Sequence, residues 1–177
     1  VATYDIDEVE QAFHHYWQTG AVNEDWDGYA DNFTEDVHYV EHFFGDMHGR
    51  ETIRAWIKPT MEEYPEVYTA YEWHLCSPDG RVVVYMQNRR DNPDPEGDPI
   101  DFPGITILQY AGAMKFGYEE DFWSVKGGME TSKRYVEACA AFDPDHPKKR
   151  TRASWGDGPP WTRGAASYAE RAGPGRL

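Results

Sequence analysis

Residues 26–57, WDGYADNFTEDVHYVEHFFGDMHGRETIRAWI, switch from one structural period to another twice in thirty-odd positions. Over 24–33 the apolar residues Trp26, Tyr29, Ala30 and Phe33 share one face at helical spacing, which predicts a short acidic helix. Over 37–44 the period becomes two, which predicts a strand. Val37, Tyr39, Glu41 and Phe43 lie on one face, and His38, Val40, His42 and Phe44 on the other. Both faces are mixed, so alternation alone does not say which is buried. Gly45-Asp46 begins a turn. A second helix then opens near 49 and runs to about 63 on Ile53, Trp56, Ile57 and Met61, with Pro59 expected to kink it or end its regular part.

Upstream, residues 5–18 space Ile6, Val9, Phe13 and Tyr16 or Trp17 as a helix, with Asp5 as N-cap, Glu8 three residues on and Gly20 as the stop. Downstream, four strands are expected near 68–76, 81–90, 103–111 and 115–125. Pro78-Asp79-Gly80 is the hairpin turn between the first two, and residues 92–99 form a proline-rich connection to the third. Residues 129–141 read as a helix. Beyond Asp143 the chain turns to Pro, Gly and basic residues, with Trp155, Trp161 and Tyr168 as candidate anchors. The chain therefore divides into a domain over 1–143 and a basic extension over 144–177. Helices first and an antiparallel or mixed sheet after them give an α+β fold.

A chain of 177 residues with 15% aromatic content has ample material for one buried core. Two cysteines cannot build a disulfide framework. No apolar run approaches the ~20 residues of a membrane span, and the first residues lack a signal-peptide pattern, so a cytoplasmic location is expected. A formal charge of −15 argues against nucleic acid and anionic membranes as partners. The charge is uneven, since residues 144–177 hold seven Lys/Arg against three Asp/Glu.

The 26–57 stretch, together with residues 102–125 (FPGITILQYAGAMKFGYEEDFWSV), resembles the nuclear transport factor 2-like superfamily and, within it, the SnoaL-like polyketide cyclase and ketosteroid isomerase branch. The resemblance covers about residues 5–141. It implies a cone-shaped α+β barrel, a curved sheet wrapped around the N-terminal helices, with an apolar pocket and no cofactor. It also implies site residues. The ketosteroid isomerase base falls near Glu41. The residue pair that holds the nucleophilic water in limonene epoxide hydrolase falls at Tyr39 and Glu41. A catalytic Asp before an aromatic pair falls at Asp121, followed by Phe122-Trp123. The chain departs from these relatives at Met86 and Asn88, where the epoxide hydrolase carries Arg and Asp, and at Thr106, where ketosteroid isomerase carries its oxyanion-hole Asp. Tyr16 stands near that family's catalytic Tyr.

Catalytic roles are therefore expected for Glu41, Asp121 and Tyr39, and substrate contacts for Tyr16, Trp56, Trp73, Met86, Asn88, Thr106 and Trp123. A carboxylate walled by aromatics has its pKa raised by desolvation, which suits proton transfer near neutral pH. No metal site is expected. His38 and His42 are about 13 Å apart along a strand, His14 and His15 point apart on a helix, and His74 is expected on the sheet exterior. No GxSxG, P-loop or GxGxxG occurs. The leading expectation is a cofactor-free enzyme that isomerises, dehydrates or cyclises a small apolar cyclic substrate (polyketide-, steroid- or terpenoid-like). Its rivals are a non-catalytic binding or dimerisation module of the same fold and hydrolysis by a water held between Glu41 and Asp121. A homodimer is expected through the sheet face carrying Tyr85, Leu108, Tyr110 and Phe122.

Overall fold

A computed structural model describes residues 3–146 together with Arg152, Pro159 and Trp161. Helix α1 spans Ile6–Trp17, capped by the Asp5 side chain, which accepts from the Asp7 N–H at 3.0 Å. Its stripe of Val9, Phe13, Tyr16 and Trp17 is buried. Gly20 does not stop it. The chain runs on through a π turn, Gln18–Val22, and a Cβ on Gly20 would lie 2.7 Å from the Tyr29 ring. Glycine is needed there so that Tyr29, on the short helix α2 (Trp26–Ala30), can lie against this turn.

Strand β1 is Phe33–Glu41, starting and ending earlier than its sequence suggests. Residues 42–44 make the turn. Gly45–His48, expected to start as a turn, pairs back antiparallel as β2. Gly45 takes φ +108°, a conformation costly for any side chain, and so permits the reversal. Helix α3, Arg50–Glu63, contains Pro59 without ending there. Strands β3 (Tyr68–Cys76), β4 (Arg81–Arg90), β5 (Ile100–Gly112) and β6 (Lys115–Trp123) follow, then α4 (Val125–Phe142). The six strands form one curved sheet in the order β2-β1-β6-β5-β4-β3, with β1 and β6 parallel and the other pairs antiparallel. This is an α+β fold, with α1 and α3 on the sheet's inner face around Val37, Ile53, Val82, Val84, Leu108 and Phe116.

One irregularity re-aims a whole strand. Tyr71 pairs with Met86 but Trp73 pairs with Tyr85, so Glu72 is an extra residue in β3. A bulge of one residue exchanges the two faces beyond it. Trp73, expected at the substrate, is therefore on the outer face, 45% exposed and stacked on Tyr85. His74, expected outside, points inward with Cys76. The expected dimer face needs a similar correction. Leu108 and Tyr110 are core residues, and only Tyr85 and Phe122 of that set lie outside. Both faces of β5 are apolar, which is why alternation misassigned them.

Helix α4 closes the sheet at the end where β4 and β5 leave the core. Gly128 abuts Trp123 and Phe102, and Tyr135 and Cys139 cover Ile100. Among the described residues of the C-terminal segment, Arg152 pairs with Glu24 and lies over Tyr68, and Trp161 packs on Phe13 and His14. Trp155 and Tyr168 lie outside the described residues. Among the described residues, no helix is long and apolar enough to cross a membrane.

Candidate active site

Three neighbouring strands bring the acidic and hydroxyl residues into register. Glu41 on β1 lies beside Asp121 on β6, and Asp121 beside Thr106 on β5. In the next row inward, Tyr39 lies beside Glu119 and Glu119 beside Leu108. All the side chains of these rows face the concave side.

Asp121 is the centre of the first row. Tyr39 donates to its Oδ2 at 2.5 Å and Thr106 to its Oδ1. Burial nonetheless raises its carboxyl to about 6, against the pull of these two donors, and the Glu41 charge adds to the rise. Tyr39 is held well above the ordinary phenol range by burial and by Asp121, so it stays a donor.

Glu41 is also buried, but its oxygens are committed. Oε2 accepts from the backbone N–H groups of Phe43 and Phe44 at 2.7 and 2.6 Å, and Oε1 from the Trp123 indole. These bonds clamp the 42–44 turn, and they give Glu41 a structural task that its sequence position did not reveal.

Beneath Asp121 is a second acid. Glu119 is 1% exposed and accepts from Tyr16 at 2.8 Å and from Tyr29 at 3.0 Å, while the two tyrosine hydroxyls are 3.2 Å apart. Burial and the neighbouring Asp121 push the Glu119 carboxyl well up. Two like charges this deep are costly, so one group keeps a proton. Glu119 and Tyr29 were not among the expected site residues. Glu119 precedes Asp121 by two and so shares its face, but nothing in the sequence points to the two tyrosines that meet it.

An aromatic belt edges this cluster. Trp56 meets Tyr39 and Phe44, Phe44 meets Phe43, and Phe43 and Phe102 both meet Trp123, with ring centroids 5.0–5.6 Å apart. Phe43 and Phe44 are 57% and 47% exposed, so the belt is open to solvent there. The Trp56 indole N–H is buried without a hydrogen-bond partner among the described residues. Met86 and Asn88 approach Gly104 from β4 on the same concave side. Glu41, Asp121, Tyr39, Thr106, Trp56 and Trp123 thus converge, Tyr16 joins through Glu119, Met86 and Asn88 stand alongside, and Trp73 is excluded. A shallow groove of about 440 Å³ lined by His42, Tyr85, Ile105 and Phe122 lies mostly on the outer side and reaches the cluster only through Trp123.

A family model described as SnoaL-like domain matches residues 5–113, ending just before β6. No curated protein sequence matches the chain. Solved structures share the fold at low identity. A hypothetical protein with a ketosteroid isomerase-like fold from Catenulispora acidiphila, in complex with trimethylamine, is 21% identical with TM-score 0.57, covering 73% of this chain and 95% of its own. TerC co-crystallised with polyporic acid is 15% identical with TM-score 0.58, covering 71% and 98%. An M. tuberculosis LEH-like epoxide hydrolase is 13% identical with TM-score 0.60, covering 77% and 97%.

Proposed function

The chain belongs to the SnoaL-like domain family, and we propose that it transfers a proton on a small apolar cyclic substrate, polyketide-, steroid- or terpenoid-like, with Asp121 as the base. The observation that carries this reading is the separation of two acids on one strand face. Asp121 titrates near 6 at the partly open end, and Glu119 is held well above its usual range in the closed end. Near neutral pH this leaves an ionised base beside a carboxyl that keeps its proton, the arrangement by which one site does acid and base chemistry together. Tyr39 and Thr106 fix the Asp121 carboxylate. Trp56, with an uncommitted indole N–H beside Tyr39, is placed to donate to a substrate oxygen. Phe43, Phe44, Phe102 and Trp123 supply apolar and stacking surface for a ring. Abstraction at carbon and return elsewhere is isomerisation; the same carbanion adding to a carbonyl is cyclisation. Glu41 shapes the rim and is not the base.

The test is solvent-deuterium incorporation into a panel of cyclic ketones in D2O, followed by proton NMR. The wild-type protein is expected to accelerate exchange at the carbon next to the carbonyl for at least one member. No acceleration on any member, with binding still detectable, favours the second reading, a ligand-binding module. That reading has its own support, because the oxygens of Asp121, Glu119 and Glu41 all hold protein donors, as in a purely structural polar core.

A homodimer belongs to the same proposal. Leu75, Trp73, Phe122 and Ile105 expose a continuous apolar surface on the outer sheet face, 67%, 45%, 40% and 37% exposed. Sedimentation velocity on wild type and Leu75→Lys is the check, with a shift to monomer expected in the variant.

A further inference from the structure

The bulge at Glu72 has a second product, away from the acid rows. It turns His74 and Cys76 inward, where α1 passes with Glu10 and His14 one helical turn apart. His74 Nε2 is 2.7 Å from Glu10 Oε2, and His14 Nε2 is 3.5 Å from the same oxygen. One donor atom each from Glu10, His74 and Cys76 all lie within 4.8 Å of one another. Tetrahedral bonds of about 2.0–2.3 Å place donor atoms about 3.3–3.8 Å apart, so small side-chain shifts close the set.

We propose that Glu10, His14, His74 and Cys76 form a binding site for a divalent transition metal of the zinc class, joining α1 to β3. Spacing on each element supports it. Positions i and i+4 share a helix face, and i and i+2 share a strand face, so two elements present two ligands each. The donor set of one thiolate, two imidazoles and one carboxylate suits zinc better than calcium or magnesium, which take oxygen shells. The outer shell is already in place. Tyr71 hydroxyl lies 2.9 Å from His74 Nδ1, which orients the ring and leaves Nε2 facing Glu10, the arrangement usual for a ligating histidine. The His74 side chain is only 10% exposed. Trp161 stacks on His14 with centroids 4.0 Å apart and meets His74 edge-on at 5.4 Å, giving the cluster an apolar cover. Burial and the neighbouring Glu10 push the Cys76 thiol up to about 12, so it is protonated when no cation is bound. On binding, the thiol proton and any proton shared by His74 and Glu10 are released to solvent. The sequence shows no motif because the four ligands come from two distant segments and depend on the bulge.

The test is titration of the full chain, free of any affinity tag, with Co(II) and then Zn(II). One Co(II) per chain is expected, with tetrahedral visible bands and a thiolate-to-cobalt charge-transfer band that Zn(II) abolishes. Cys76→Ala should remove the charge-transfer band and weaken Zn(II) binding at least tenfold. Glu10→Gln, a surface-side change that leaves the core intact, should also weaken it. Tyr71→Phe should weaken it about 10–100-fold without changing the stoichiometry. Absence of stoichiometric binding, an octahedral spectrum without charge transfer, or binding unaffected by Cys76→Ala and Glu10→Gln overturns the proposal and leaves a hydrogen-bonded Glu–His–Tyr cluster.

Discussion

The Tyr39 hydroxyl donates to Asp121 Oδ2 at 2.5 Å, and it does so from a parallel strand one row deeper than Asp121. The bond reaches diagonally from the core toward the open end of the site. It holds the carboxylate's ionised form against burial. Tyr39→Phe removes that donor, so the Asp121 pKa should rise above about 6. In a pH–rate profile the acid limb should move to higher pH, with a rate loss of about tenfold at pH 7 from the smaller ionised fraction and the less fixed base.

Stability should depend on pH through the same group. Folding raises the Asp121 pKa from 3.8 to about 6, so the folded chain holds that proton more tightly than the unfolded chain. Between those values stability therefore falls as pH rises. Asp121→Asn abolishes this dependence and should raise the melting temperature at pH 8 relative to wild type, by an amount corresponding to about 1–3 kcal/mol. Thermal melts at pH 5 and pH 8 provide the comparison, and the variant's advantage should shrink at the lower pH.

Glu41→Gln separates clamp from base. The amide nitrogen can take only one of the two oxygen positions, and at either one it faces N–H donors, from Phe43 and Phe44 or from Trp123. Destabilisation of about 1–3 kcal/mol is expected, the cost of stranding buried donors. Proton-transfer rate per folded molecule should change much less than in Asp121→Asn.

Most elements were legible in the sequence because their periodicity was strong; α1, α3 and the edges of β3 and β4 fall within a residue or so of the pattern. Parity grouped Tyr39 with Glu41 and Asp121 with Trp123, but only the family resemblance pointed to those faces as the concave ones, because both faces of the strand are mixed. Three things were not legible. A single extra residue at Glu72 leaves no mark in composition, yet it reverses Trp73 and His74. Turn geometry at 42–44, which brings two backbone N–H groups onto Glu41, arises only once β2 pairs with β1. Glu119 reads as one acid in a Glu-Glu-Asp run until Tyr16 and Tyr29, from two helices far away in sequence, are seen to meet it.

Gly20→Ala tests the packing that positions that tyrosine pair. Its Cβ would lie 2.7 Å from Tyr29 Cδ2, so the ring or the π turn must move. A loss of about 1–3 kcal/mol in chemical unfolding is expected from overpacking. Because the Tyr29 hydroxyl bonds Glu119, the variant should also perturb the acid pair and shift the pH–rate profile, an effect that packing loss elsewhere would not produce.

The central claim is that Asp121 removes the proton. The direct measurement is the initial rate of deuterium incorporation into the best cyclic ketone substrate at pH 7.5, for wild type, Asp121→Asn and Glu41→Gln at equal folded concentration. Asp121→Asn should lose about 10²–10⁴-fold, the usual worth of a positioned general base, with ligand affinity nearly unchanged. An Asp121→Asn rate within a few-fold of wild type, or a loss of that size confined to Glu41→Gln, would contradict the account.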